Sequence, residues 1–396
     1  MSEPMIGSKC SGRNKNGYDE VQVLAGIEAT LFAGQPEKLR GHPMKSENRL
    51  LAAATVFALA TSCSAQATPN PALLILSKQD HSLAIVDPGS LRVVARVPVG
   101  NDPHEVIASS DGETAYVSNY GFGAYHTLAV VDLVAQKPLP AIDLGALRGP
   151  HGLAFRESKV WFTAEAAKAI GSYDPATGAI DWIMGTGQNR THMIYVFPGA
   201  RRIITTNVSS GTVTIMEKTE GRPAPPPGAM MPPLPAGGPP PGLPMPPGGD
   251  WQLAVIPVGR GSEGFDVSPD GKQAWVANAG DGTISIIDIA AKRVTETLAA
   301  NVPGANRLKF TPDGERVLVS AGPDFVILDA VTHKEIKRIR TGHGSGGVLV
   351  APDGLRAYEA CSPDNYVAVI DLKTLEVIGH IDAGGNPDGM AWAVQQ

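Results

Sequence analysis

An all-β fold, a seven-bladed β-propeller of four-stranded antiparallel blades, is predicted by three features of the 396-residue sequence. A unit of four short apolar segments recurs about every forty residues, Gly and Pro are abundant at 45 and 34 residues, and the repeat is cut so that its two ends complete one unit. A unit of that length with four strands is the signature of a propeller blade, and frequent turns suit it better than long helices do.

Each segment of the unit has a local cause. The first is entered through a Gly/Pro turn, as at Pro103–Ala108 (PHEVIA). An Asp-Gly turn reverses the chain after it, at SSDG (109–112), SPDG (268–271), TPDG (311–314) and APDG (351–354). The second ends on Asn or a small polar residue, in YVSN (116–119), ITTN (204–207), WVAN (275–278) and YEAC (358–361). The third closes on an acid, at Asp87, Asp132, Asp174, Glu217, Asp288, Asp329 and Asp371, with spacings of 45, 42, 43, 71, 41 and 42 residues. The fourth leads into the next turn.

The repeats open at Ala72 with a second-type segment and close at Asn386–Ala393 with a first-type one. The C-terminal strand is therefore expected to pair with the N-terminal strands in one blade, closing the ring without an exposed sheet edge.

The motif Tyr116-Val117-Ser118-Asn119 resembles the second-strand signature of the YVTN-type β-propeller repeat proteins, and the likeness runs over residues 72–394. That resemblance implies a seven-bladed propeller of the cell envelope. It implies little about chemistry, because function on this fold is set by its site residues.

The flanks agree with export. Met44–Ala67 has a basic start at Lys45 and Arg49, an apolar stretch over Leu50–Ala60 and a small-residue cleavage site at Ala65-Gln66-Ala67, so residues 44–67 read as a signal peptide. Residues 1–43 are then an upstream or disordered extension. Ala60-Thr61-Ser62-Cys63 also resembles a lipoprotein box, which would place a lipid anchor on Cys63. The expected location is periplasmic or extracellular. No apolar run reaches eighteen residues, so no transmembrane span is expected.

Cys361 is the one cysteine after residue 67, so no disulfide framework supports the body of the chain. The formal charge of −6 offers no basic excess for phosphates, which argues against nucleic acid as a partner. A monomer that meets a small molecule or an envelope protein is expected.

Residues 219–250 form a Pro/Gly-rich loop inserted within blade three, with 13 of the 34 prolines between 221 and 249. Between strands three and four it belongs on the lower face, as a solvated spacer in polyproline form. Its Met230, Met231 and Met245 are soft ligands suited to Cu(I).

The candidate site comes from aligning the repeats on their Asp-Gly turns. His104, His151, His192, Glu263, Asn306, Gly346 and Asp388 then share one position, at the upper mouth of the central axis. Three imidazoles on adjacent blades followed by an acid suit a divalent transition metal (Zn, Cu, Ni or Fe), so His104, His151, His192 and Glu263 are the candidate metal residues. His126, Arg148, Arg190, Arg260, Asn306, His343 and Asp388 are candidate ligand-binding residues, the arginines suiting a carboxylate or phosphate. The loop 119–126 (NYGFGAYH) adds Tyr120, Phe122 and Tyr125 to the same face as a wall or lid.

Blade two, Gly149–Gly171, is similar to blades of the metal-dependent streptogramin B lyases, whose Pro-His and Trp-Phe-Thr-Glu motifs supply a His and a Glu for elimination beside a divalent ion. His151 matches the first motif. After Trp161-Phe162-Thr163 stands Ala164, with Glu165 one residue late, so Glu165 regains the site only from the following loop. No Gly-x-Ser-x-Gly elbow supports nucleophilic hydrolysis. The leading expectation is a non-enzymatic propeller that binds a small ligand or metal ion, or a partner, at the upper axial funnel. The alternatives are a metal-dependent lyase or lactone hydrolase in that funnel, and a structural surface-layer-type repeat protein.

Overall fold

A computed structural model describes residues 66–219 and 250–395. The upstream segment, the signal-like stretch up to residue 65, Cys63 and the insert residues 220–249 with their three methionines lie outside the described residues. No helix among the described residues is long and apolar enough to cross a membrane.

Seven four-stranded antiparallel sheets make the ring. The first strands of blades one to six begin at Pro103, Pro150, Thr191, Ser262, Ala305 and Val348. Blade seven joins both ends of the chain: Pro387–Ala393 lies beside Ala72–Ser77, followed by Ser82–Asp87 and Arg92–Pro98. Leu73 faces Trp392 and Ile75 faces Met390 across that seam.

Burial explains the sequence pattern. Second and third strands lie between neighbouring blades and are covered on both faces, so Ala72–Ser77 and Ser82–Asp87 read as nearly continuous apolar runs. Fourth strands alternate or stay exposed, as along Ala179–Gly185. The core is seven clusters, one per blade-to-blade contact. Ile284 and Ile286 of blade four, for example, meet Leu308 and Val319 of blade five.

The repeated polar residues hold the turns. Gly112, Gly271, Gly314 and Gly354 of the Asp-Gly turns all have φ between 71° and 75°, which glycine adopts without strain. The acid ending strand three caps the turn to strand four: Asp371 Oδ1 accepts the N–H groups of Lys373 and Thr374 at 2.9 and 2.7 Å. Glu217 departs from this pattern and pairs instead with Arg202 and Lys292, at the blade whose turn carries the insert.

Two blades break the apolar pattern at one second-strand place, with Thr205 and, more severely, Glu359. Glu359 takes the second-strand place that Val117, Phe162, Val276 and Val319 fill in other blades, and it is fully buried. Neither of its carboxyl oxygens has a hydrogen-bond partner. Burial pushes its pKa up to about 8, against a weaker pull from Thr341. Cys361 at the same strand's end is buried, and desolvation raises its thiol to about 12.

Candidate metal centre at the upper axial mouth

Three local devices aim the ring residues at the axis. Two positions before each of six ring residues the backbone is left-handed, at Asp102, Gly149, Arg190, Gly261, Gly304 and Asn386, with φ of 46°, 70°, 53°, 69°, 69° and 52°. Glycine adopts this freely, whereas a side chain there costs about 1 kcal/mol. Just inside the strand start, six blades carry a register break, as between Pro103 and Val106 or Thr191 and Ile194. Such bulges re-aim side chains, and here a ring residue and its successor both reach the axis.

The third device satisfies the backbone group that the bulge frees. Gly152 N–H donates to Thr163 Oγ1 at 2.9 Å, and that hydroxyl donates to the carbonyl of His192 on the next blade at 2.7 Å. Met193, Thr206 and Glu263 repeat the link, as do Arg307, Ser320 and Gly346. Close approach at the ring also explains Gly152, where a Cβ would stand 2.5 Å from the His192 carbonyl oxygen.

His151, Glu165 and His192 form the tightest group of donors. All three are buried, and one ligand atom from each lies within 4.8 Å of the others, so this cluster could hold a metal ion. The second strand of blade two ends at Ala164, and Glu165 opens the turn beyond it, with its N–H donating to Gly149 O at 2.9 Å. From there its carboxylate accepts the Tyr120 hydroxyl at 2.6 Å and bonds Nδ1 of His192. Arg190 Nε lies 3.5 Å from the same carboxylate.

His192 has a carboxylate on each nitrogen, with Glu263 Oε2 2.7 Å from Nε2. Burial works against its charge, but Glu263 and Glu165 outweigh that and raise its pKa. Burial likewise opposes ionisation of Glu263, yet His192, Arg307 and Arg190 draw its pKa down to about 2. His151 stands 3.8 Å from His192 between ring centres, and its Nδ1 is buried without a partner. Desolvation and the neighbouring His192 and His104 hold it neutral. A neutral imidazole with a free buried nitrogen is what a metal needs from its ligand.

The other expected residues fall into two sets. His104 stands beside the cluster, 4.9 Å from His151 between ring centres, with Asp102 at 3.1 Å and Asp388 at 3.5 Å from its nitrogens. Asp388 also meets Lys78 at 3.3 Å, and Asn306 Oδ1 accepts from Arg307 at 2.8 Å. Arg190 reaches Glu263 at 3.7 Å. His126, Arg148, Arg260 and His343 stay outside this group. They are held respectively by Asp143, the Ala124 carbonyl, Asp281 and Asp364. Of the aromatic loop, Tyr120 is buried against His104 and His151, while Phe122 is 90% exposed.

Glu105, which the sequence does not single out, and Arg307, one of the arginines it places at the upper-face strand starts, close the centre below. Arg307 of blade five bonds Glu105 of blade one across the axis, and both are largely buried. Burial opposes the Arg307 charge, but Glu105, Asp388 and Glu263 outweigh it and raise its pKa. The ion pair is a floor to the upper funnel. Glu105 and Arg307 each follow a ring residue, so a strict two-residue strand period assigns them to the wrong face. The register break is the signal that corrects it.

No protein-family model matches the chain. It is 23% identical over 315 residues to the seven-bladed β-propeller protein Rv1057 of Mycobacterium tuberculosis, covering 73% of this chain and 76% of that one. Among solved structures, a functionally unknown protein from Desulfotomaculum acetoxidans matches with a TM-score of 0.64 at 13% identity, covering 83% of this chain and all of the other. A Bacteroides uniformis protein described as a candidate 6-phosphogluconolactonase matches with a TM-score of 0.62 at 14% identity, over 82% of this chain and 99% of that one. These likenesses carry the seven-bladed fold.

Proposed function

We propose that this chain is an exported β-propeller of the YVTN type that binds a divalent transition metal at His151, Glu165 and His192, and through it a small ligand. The observation that carries the reading is the convergence of these three buried donors from two adjacent blades, with Nδ1 of His151 left unpaired. Two imidazoles and one carboxylate suit zinc and its first-row neighbours, and three protein ligands leave a coordination position open.

The surrounding charge supports a cation. Asp102, Glu105, Glu165, Glu263 and Asp388 face three permanent cations, Lys78, Arg190 and Arg307. A divalent ion that displaces the His192 proton offsets the remaining negative charge. Tyr120 holds Glu165 in place from outside with a hydrogen bond of 2.6 Å, the kind of support that orients metal ligands.

The test is metal content after dialysis against Zn(II), Ni(II) or Co(II). One ion per chain is expected, lost in His151→Ala and in Glu165→Gln but retained in His343→Ala. A protein that holds no stoichiometric metal in any of these would overturn the reading. A lyase or lactone hydrolase at the same centre is favoured by one observation, that Glu165 does reach the histidines from its turn. Turnover of a lactone or cyclic depsipeptide, abolished by chelation, would decide for it.

A further inference from the structure

Beyond the Arg307–Glu105 pair lies a second cavity of about 330 Å³, whose lining includes none of His151, Glu165 and His192. Its walls include Ile107, Leu153, Met193, Tyr195, Leu349 and Trp392, contributed by five blades and only partly buried, with their remaining surface available. The Trp392 indole N–H is already used, donating to Val350 O at 2.8 Å, which fixes that ring as a wall.

Four charged groups share the lining, and they cancel in pairs. Glu105 meets Arg307 at the ceiling, and Lys309 Nζ lies 3.5 Å from Asp266 Oδ1 at one side. An ion entering this space would lose hydration without finding an uncompensated partner, whereas the paired groups still offer hydrogen bonds. Water alone would leave the apolar walls unsatisfied. Volumes of this order are typical of small-molecule sites with mostly apolar walls and a few polar anchors.

We propose that the lower axial cavity binds a small uncharged molecule with an apolar body and one hydrogen-bonding end, of the phenol or alcohol class. Its body lies against Met193, Leu349 and Trp392, and its hydroxyl bonds one of the two ion pairs. The site does not depend on the metal centre, because the floor separates the two.

Titration calorimetry with 2-naphthol tests this, with 2-naphthoate as the charged counterpart. The wild-type chain is expected to bind one equivalent of 2-naphthol, and 2-naphthoate at least tenfold more weakly. Ile107→Trp and Leu349→Trp fill the cavity and should each weaken 2-naphthol at least tenfold while leaving metal uptake above the floor unchanged. If either loses its cooperative melt, Leu153→Phe is the smaller filling that replaces it. Absence of saturable binding, equal affinity in the filled variants, or equal affinity for the naphthoate would each overturn the proposal and leave a channel filled with water.

Discussion

Glu165 stands one residue past the end of its strand, and that step sets its carboxylate against Nδ1 of His192 on the next blade. One residue earlier, inside the strand, its side chain would have met the blade interface instead. The pairing joins blades two and three at the axis and leaves His151 between them with a nitrogen to spare.

Tyr120→Phe removes the hydroxyl that orients Glu165 and keeps the ring against His104 and His151. Metal affinity should fall by about tenfold or more, the usual effect of losing such a support. Competition against a chromophoric chelator reads this directly. Unchanged affinity would show that the Tyr120 hydroxyl does not support the site.

Arg190 holds a left-handed backbone that Gly149, Gly261 and Gly304 hold in neighbouring blades, so Arg190→Gly relieves strain. Stability should rise, or at worst hold, in a thermal melt. Removing a cation beside a divalent site should also tighten metal binding a few-fold at low salt, and the gain should shrink as salt is raised. Weaker binding would instead mean that Arg190 acts chiefly by placing Glu165.

Thr163 bonds the N–H of Gly152 and the carbonyl of His192 with one buried hydroxyl. Thr163→Val keeps the shape and strands both groups, at a cost of about 2–4 kcal/mol in denaturant unfolding. Thr163→Ser keeps the hydroxyl and should lose far less.

Glu359 makes stability depend on pH in a direction opposite to that of an ion-paired acid. Its folded pKa of about 8 lies above the ordinary value of 4.5, so the folded chain holds a proton that the unfolded chain releases. Stability from this group is therefore intact below the ordinary value and lost progressively as pH rises towards 8. Glu359→Gln should change little at pH 4 and stabilise on the order of 2–4 kcal/mol at pH 8. Melts at the two pH values give the comparison, and an equal effect at both would refute it.

The fold was legible because every blade repeats the same solution, with Asp-Gly turns and acid caps marking each strand end. The ring was legible for the same reason: His104, His151 and His192 share a repeat position, and the structure puts them side by side. Repeat alignment also selected His126, Arg148, Arg260 and His343, which lie on the right face but at its rim. Distance from the axis is set by loop path, and sequence spacing does not encode it. Glu105 was hidden for the opposite reason, while the sequence marks Glu165 only as a residue that regains the site from its loop and Arg307 only as an arginine flanking a strand start. Each depends on where a strand ends or bulges, and a shift of one residue decides which way a side chain points.

The seam in blade seven ties the metal centre's neighbourhood to the order of synthesis. Asp388, from the last strand described, meets Lys78 from the first turn and His104 from the following blade. Asp388 leaves the ribosome some three hundred residues after the other two, so the axial mouth is finished only when the ring is. A chain halted before Pro387 would keep the strand Ala72–Ser77 open along one edge, prone to pairing with another chain, and would lack a carboxylate at the mouth. Closure thus serves as a completeness check: the charged lining of the axial mouth is whole only after the ring of blades has met its own beginning.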